Sequence, residues 1–116
     1  MKAMPNAKYI LGVPFARTSN WGNIIPFVKE GVSRIGMDRV YAFELGNEPN
    51  NYNPEHFRDS SYGVADYIEE WTNWTAGISN ALGLDPNDAH YTGYTIMSYE
   101  EPHQRNDTLP VPEWTV

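Results

Sequence analysis

Apolar positions along this chain follow two different periods, and the changes between them divide it into elements. Tyr9-Ile10-Leu11-Gly12-Val13-Pro14-Phe15 is a short, nearly continuous apolar run, the pattern of a buried strand. Pro14 has no N–H to give to a sheet ladder and predicts where that strand stops. After the polar stretch Arg17-Thr18-Ser19-Asn20, the spacing lengthens. From Trp21 to Ile35, Ile24, Val28 and Ile35 recur at helical intervals, Gly31 shares their face, and Lys29, Glu30, Ser33 and Arg34 lie off it. The spacing predicts an amphipathic helix in which Pro26 is tolerable only near the first turn and Gly36 is a left-handed stop. Arg39 to Leu45 returns to the shorter period, with Val40, Tyr41, Phe43 and Leu45 on both faces, and predicts a strand covered on both sides.

Beyond a polar loop over 50–61, Val64, Ile68, Trp71, Thr75, Ile78 and Leu82 form a stripe that predicts a long helix ending at Gly83. His90 to Met97 is rich in β-branched and aromatic residues and predicts a third strand. Residues 100–116 carry three Pro and no periodicity, which predicts an irregular C-terminal tail. The order strand, helix, strand, helix, strand belongs to parallel α/β architectures, open or closed.

What favours a closed barrel is the position of the polar residues. Val40-Tyr41-Ala42-Phe43-Glu44-Leu45 runs directly into Gly46-Asn47-Glu48-Pro49-Asn50, so a carboxylate and an amide stand just past a strand's C-terminal end. A (β/α)8 barrel places its chemistry there. An open doubly wound sheet follows a similar rule, but usually offers a Gly-rich or hydroxyl-rich phosphate loop. Gly46 alone is not one.

Composition narrows the range of partners. A chain of 116 residues has room for one modest domain, and 41% hydrophobic with 14% aromatic residues is a globular balance. A net charge of −7 leaves no basic patch to neutralise phosphates and argues against a nucleic-acid partner. With no cysteine, and with His56, His90 and His103 far apart in sequence, neither a disulfide framework nor a metal site is expected. No cofactor is implied. No apolar run nears the ~18 residues of a membrane span, and Met-Lys-Ala-Met-Pro-Asn lacks the apolar core of a secretory signal. The triplets Asn73-Trp74-Thr75 and Asn106-Asp107-Thr108 have the form of glycan acceptors and hint at a secreted, extracellular parent protein. Such triplets also arise by chance among eleven Asn. Asn73 lies about 200° around its helix from Trp71, on the solvent side.

The residues from Tyr9 to Trp71 resemble the catalytic barrel of glycoside hydrolase clan A and, within it, family 79, the β-glucuronidases and heparanase. Phe43-Glu44-Leu45-Gly46-Asn47-Glu48-Pro49-Asn50 is similar to the end of that family's fourth barrel strand, and Tyr9-Ile10-Leu11-Gly12 to its third. Tyr52, Arg58, Tyr62, Tyr67 and Glu70-Trp71 are spaced as in fungal and bacterial members. The resemblance covers a little over half the chain, and the Asn-Glu-Pro motif is specific to the clan more than to the family. It implies an α/β fold that is a fragment of a (β/α)8 TIM barrel, about strands 3 to 5, with residues 1–99 as the partial catalytic domain.

The resemblance also implies a retaining hydrolase that works with two carboxylates on a carbohydrate substrate, a glucuronide or related β-glycoside. Glu48 would be the general acid/base, protonating the departing glycosidic oxygen and then deprotonating water. Asn47 would hydrogen-bond the sugar 2-hydroxyl, since a side-chain amide both donates and accepts without adding charge beside the acid. Pro49 would limit the backbone leaving the corner. Tyr52 and Arg58 could line the cleft, with Arg58 taking a uronate carboxylate in bidentate fashion. A loop Arg paired with a nearby acid is at least as good a reading of Arg58, and Glu44 reads better as a satisfied structural carboxylate than as a catalytic one.

The nucleophile implied by the resemblance stands three βα units after the acid/base. At about 30 residues per unit that is some 90 residues beyond Glu48, outside this chain, and Glu100, Glu101 and Glu113 fall too early and in no matching motif. The isolated chain is therefore expected to show no glycosidase activity and to fold poorly. Two alternatives stay open at this level. Asn47-Glu48-Pro49 could be an ordinary turn, and the chain could be a non-catalytic, degenerate or carbohydrate-binding fragment.

Overall fold

The computed structural model describes residues 6–52, 56–85, 87–88 and 90–93. They form a mixed α/β unit, a three-stranded parallel sheet with two α-helices. The strands are β1 (Tyr9–Val13), β2 (Val40–Leu45) and β3 (Tyr91–Thr92), and the helices are α1 (Ile24–Ile35) between β1 and β2 and α2 (Val64–Leu82) between β2 and β3. The sheet order is β1-β2-β3 and both pairings are parallel. Each crossover advances by one strand, so the sheet is singly wound, as in a section of a barrel or one half of a doubly wound sheet.

Register sorts the side chains onto two faces. Leu11 pairs with Phe43 and Val13 with Leu45, and these residues join Ile24 and Val28 of α1 and Tyr67 and Ile78 of α2 in one hydrophobic core. Both helices therefore lie on that side, where α1 also touches α2 and β1. α1 approaches β1 closely at Gly31, where a Cβ would stand 2.8 Å from a Leu11 methyl and the leucine side chain would have to shift. On the opposite face Ile10 pairs with Ala42 and Gly12 with Glu44, which is followed across the sheet by Thr92. Ile10 is 56% exposed, and no helix among the described residues covers this face.

β2 itself, expected to be covered on both sides, has Val40, Ala42, Phe43 and Leu45 buried and Glu44 half-buried. Tyr41 is 69% exposed. The register slips between Tyr9 and Ile10, with Tyr9 opposite Val40 and Ile10 opposite Ala42, so Tyr41 falls at the irregularity, without a counterpart on β1.

The helix expected from Trp21 starts later. Thr18–Asn23 is a 3₁₀ turn and the α-helix begins at Ile24. Pro26 decides this, since its ring and missing N–H are accommodated only within a first turn, and a start at Ile24 makes it the third residue. Gly36 ends α1 with positive φ, 90° with ψ 131°, which is not the left-handed helical pair, while its N–H still reaches the Val32 carbonyl at 2.8 Å. Gly83 ends α2 at φ 66°, ψ 32°, the left-handed cap the sequence predicts.

At the other end of α2, the Gly63 N–H donates to the Asp66 carboxylate at 2.9 Å, half of a capping box. The buried stripe of α2 is rotated from the expected one. Tyr67, Ile78 and Ser79 are buried, with Val64, Trp71, Trp74 and Leu82 packed partly against them, whereas Ile68 is 55% exposed. Tyr67 displaces Ile68 because its ring packs at the core while its hydroxyl donates to the Leu45 carbonyl at 2.6 Å, a match Ile cannot make.

Of the third predicted strand, Tyr91 and Thr92 are observed in the sheet, and residues 94–97 lie outside the described residues, as do the 100–116 tail, His103 and the Asn106 triplet. Asn73 is exposed on α2. Among the described residues no helix is long and apolar enough to cross a membrane, and no three metal-ligating side chains cluster.

Candidate functional site

At the C-terminal edge of the sheet the chain departs from regular geometry. β2 ends at Leu45, and the Gly46 N–H donates to the Val13 carbonyl at 3.1 Å, joining the ends of β1 and β2. Gly46 has φ 81°, and a Cβ on it would lie 2.7 Å from the Tyr52 hydroxyl and 3.2 Å from Phe15 Cβ. Only a glycine satisfies both the conformation and the space.

Two residues later Glu48 adopts φ 48°, ψ 54°, the left-handed region. This is costly for a residue with a Cβ, and a residue before proline ordinarily stays extended. Pro49 then opens the 3₁₀ turn Pro49–Asn51, its ring fully buried. Asn47 is exposed and Glu48 half-buried. Strain of about 1–3 kcal/mol persists where surrounding contacts over-determine the backbone, and such positions concentrate at functional sites.

The surrounding contacts come from the segment that follows. Tyr52 is 2% exposed. Its N–H closes the turn on the Pro49 carbonyl at 3.1 Å, and its own carbonyl accepts from the N–H groups of Phe57 at 2.8 Å and Arg58 at 3.2 Å. Its ring packs against Tyr62 and Phe57. The hydroxyl sits beside the Asn47 backbone N–H without forming a well-aligned hydrogen bond. Burial pushes the Tyr52 pKa up to about 12, against the opposing pull of that N–H and of Arg58. Burial and then the Glu70 charge raise Tyr62 further. Both phenols are neutral at physiological pH.

Arg58 links all of these parts. Its Nη1 and Nη2 each donate to Glu70 of α2 at 2.8 Å, a bidentate pair, while Nη2 also reaches the Phe15 carbonyl at 2.8 Å and Nε the Ala16 carbonyl at 2.7 Å. The guanidinium lies 5.0, 5.8 and 4.6 Å from the ring centres of Trp21, Tyr52 and Tyr62, and its side chain is 7% exposed. Burial works against its charge, but Glu70's hydrogen bonds and charge outweigh it and raise the pKa above the ordinary arginine value. Of the two readings of Arg58, the ion pair with a nearby acid is the arrangement present. By contrast, Arg17 stacks over Phe57 at 4.4 Å, exposed on the loop after β1.

The structure therefore brings Asn47, Glu48, Tyr52 and Arg58 to one edge, in different roles. Asn47 and Glu48 are accessible at the corner, and Tyr52 and Arg58 are beneath it. Glu44 lies on the helix-free face of the sheet, between Gly12 and Thr92. The supports to which the sequence assigns no role at the corner are Gly46, Trp21 and Tyr67. A lone glycine after a strand that ends beside a buried tyrosine is the signal for the first. The reach of Tyr67 to Leu45 exists only after folding.

No protein-family model matches the chain, and no solved structure matches it. Over 75 residues, 62% of the chain, it is 29% identical to a β-glucuronidase of Neurospora crassa. The chain spans 13% of that protein's length. At that identity the likeness supports a distant, glycosidase-like relationship and nothing finer.

Proposed function

We propose that these residues are the acid/base portion of a retaining β-glycosidase of the family-79 kind, a section of a (β/α)8 barrel that carries about its third to fifth strands. The observation that carries this reading is the corner after β2. A half-buried carboxylate in left-handed backbone follows an exposed amide at the C-terminal edge of a parallel sheet, where barrel enzymes place their chemistry. A singly wound sheet with both helices on one side agrees with it, and the free face holding Ile10, Ala42 and Glu44 would then line the barrel interior. Likeness to a β-glucuronidase over 75 residues points the same way.

In this reading Glu48 donates a proton to the departing glycosidic oxygen and later takes one from the attacking water, and Asn47 holds the sugar 2-hydroxyl. The nucleophilic carboxylate comes from polypeptide outside these 116 residues. The substrate is a glucuronide or related β-glycoside, and Tyr52 and Arg58 serve it from beneath the corner rather than by touching it. A secreted parent would expose Asn73 on α2 to glycosylation.

The test is leaving-group dependence in the native polypeptide that carries these residues. Glu48→Ala should slow hydrolysis of glycosides with poor leaving groups by about 10²–10⁴-fold, the usual worth of general acid catalysis, and of activated aryl glycosides far less. Equal losses on both would rule out the acid role.

A further inference from the structure

We infer that the Arg58–Glu70 pair is a positioning clamp for the Asn47-Glu48 corner, acting through the ends of β1 and the turn after β2 rather than on substrate. For its kinetic arm this inference rests on the glycosidase reading; for its structural arm it does not. One residue binds three separate parts of the chain. Its guanidinium holds the Phe15 and Ala16 carbonyls just past β1 and the Glu70 carboxylate on α2. Its backbone N–H holds the Tyr52 carbonyl, and its charged plane lies against Tyr52 and Tyr62. Tyr52 in turn places its hydroxyl under Gly46 and closes the turn that begins at Pro49. The corner residue Glu48 is thus held in left-handed backbone between two points, Gly46 and Tyr52, that both lead to Arg58.

Four of the five guanidinium N–H groups have partners within this network, so little of the group remains for a ligand. Glu70 is the natural partner because a carboxylate matches the guanidinium fork in two bonds, which a lysine cannot do. Arg58→Lys therefore keeps the charge and removes the geometry.

Two readouts on the native polypeptide test this. In Arg58→Lys, amide hydrogen exchange should quicken about tenfold or more at Gly46, Tyr52 and Phe57, while Phe43 in β2 and Ile78 in α2 keep their protection. In the same variant kcat for aryl glucuronide and aryl glucoside should fall alike, by about 10- to 100-fold, with both KM values within about twofold, since misplacement of a reacting group by about 1 Å costs that order of rate. Should Arg58→Lys not fold, Glu70→Gln, which removes one acceptor and the charge, should loosen the same three amides.

Exchange that quickens equally through β2 and α2, or not at all at the corner, would overturn the clamp. So would a KM increase confined to the glucuronide, because that would put Arg58 on the uronate itself. A wild-type polypeptide without turnover, in which the corner amides still respond as expected, would leave the clamp standing and remove the glycosidase reading instead.

Discussion

Tyr52 shows how a single buried group ties the corner to pH. Its pKa rises to about 12 because burial disfavours the phenolate, so the folded state prefers the neutral form. The stabilisation is complete below the unfolded value of about 10 and is lost as pH climbs through about 12, amounting to roughly 2–3 kcal/mol at about 1.4 kcal/mol per unit. Tyr62, raised in the same direction, adds to the loss. Tyr52→Phe should move the midpoint of alkaline unfolding, followed by near-UV circular dichroism, to higher pH. At pH 7 it should change stability by no more than about 1 kcal/mol, because the hydroxyl has no well-formed bond to lose. Gly46→Ala should behave differently. Its φ of 81° and the 2.7 Å approach to the Tyr52 hydroxyl combine a left-handed penalty of about 1–2 kcal/mol with a displaced tyrosine, so urea unfolding should show a loss of about 2 kcal/mol or more at any pH.

Among the elements, α2 is the one whose neighbours decided its orientation. The apolar stripe through Ile68 is a legitimate helical face, yet the helix turns so that Tyr67 points inward and Ile68 is left 55% exposed. Periodicity specifies that a helix forms and where Gly83 ends it. It does not choose between two overlapping faces when a tyrosine can satisfy a carbonyl such as that of Leu45. The two isoleucines should separate clearly in urea unfolding of the native polypeptide that carries them. Ile78→Ala, at 0% exposure, should cost about 2–5 kcal/mol through lost contact and a residual cavity, and Ile68→Ala about 0.5 kcal/mol or less. Comparable losses at both positions would contradict the observed rotation. The start of α1 teaches the converse: Pro26 carries the boundary in its own chemistry, and reading it strictly would have moved the expected start from Trp21 to Ile24.

For the molecule as a whole, the described sheet is narrow and one-sided. Among the described residues β1 and β3 are both edges, and the face bearing Ile10 lacks a cover, an arrangement that favours association and low stability. The purified 116-residue chain should unfold at low urea concentration and give no turnover of an aryl glucuronide. Measurable turnover would overturn the proposal that the nucleophile lies outside these residues.

The sequence by itself determined the order of strands and helices, the breaks at Pro14, Gly36 and Gly83, and the placing of Asn47 and Glu48 just beyond a strand. These follow from local chemistry: a missing N–H, a missing Cβ, a period of two or nearly four. Only the tertiary structure decided which face of each element is buried, and what Arg58 does. From sequence, a guanidinium toward a ligand and one toward Glu70 read alike, because charge and spacing are the same in both. Folding separates them by bringing Phe15, Ala16 and Glu70, distant along the chain, within 3 Å of one side chain.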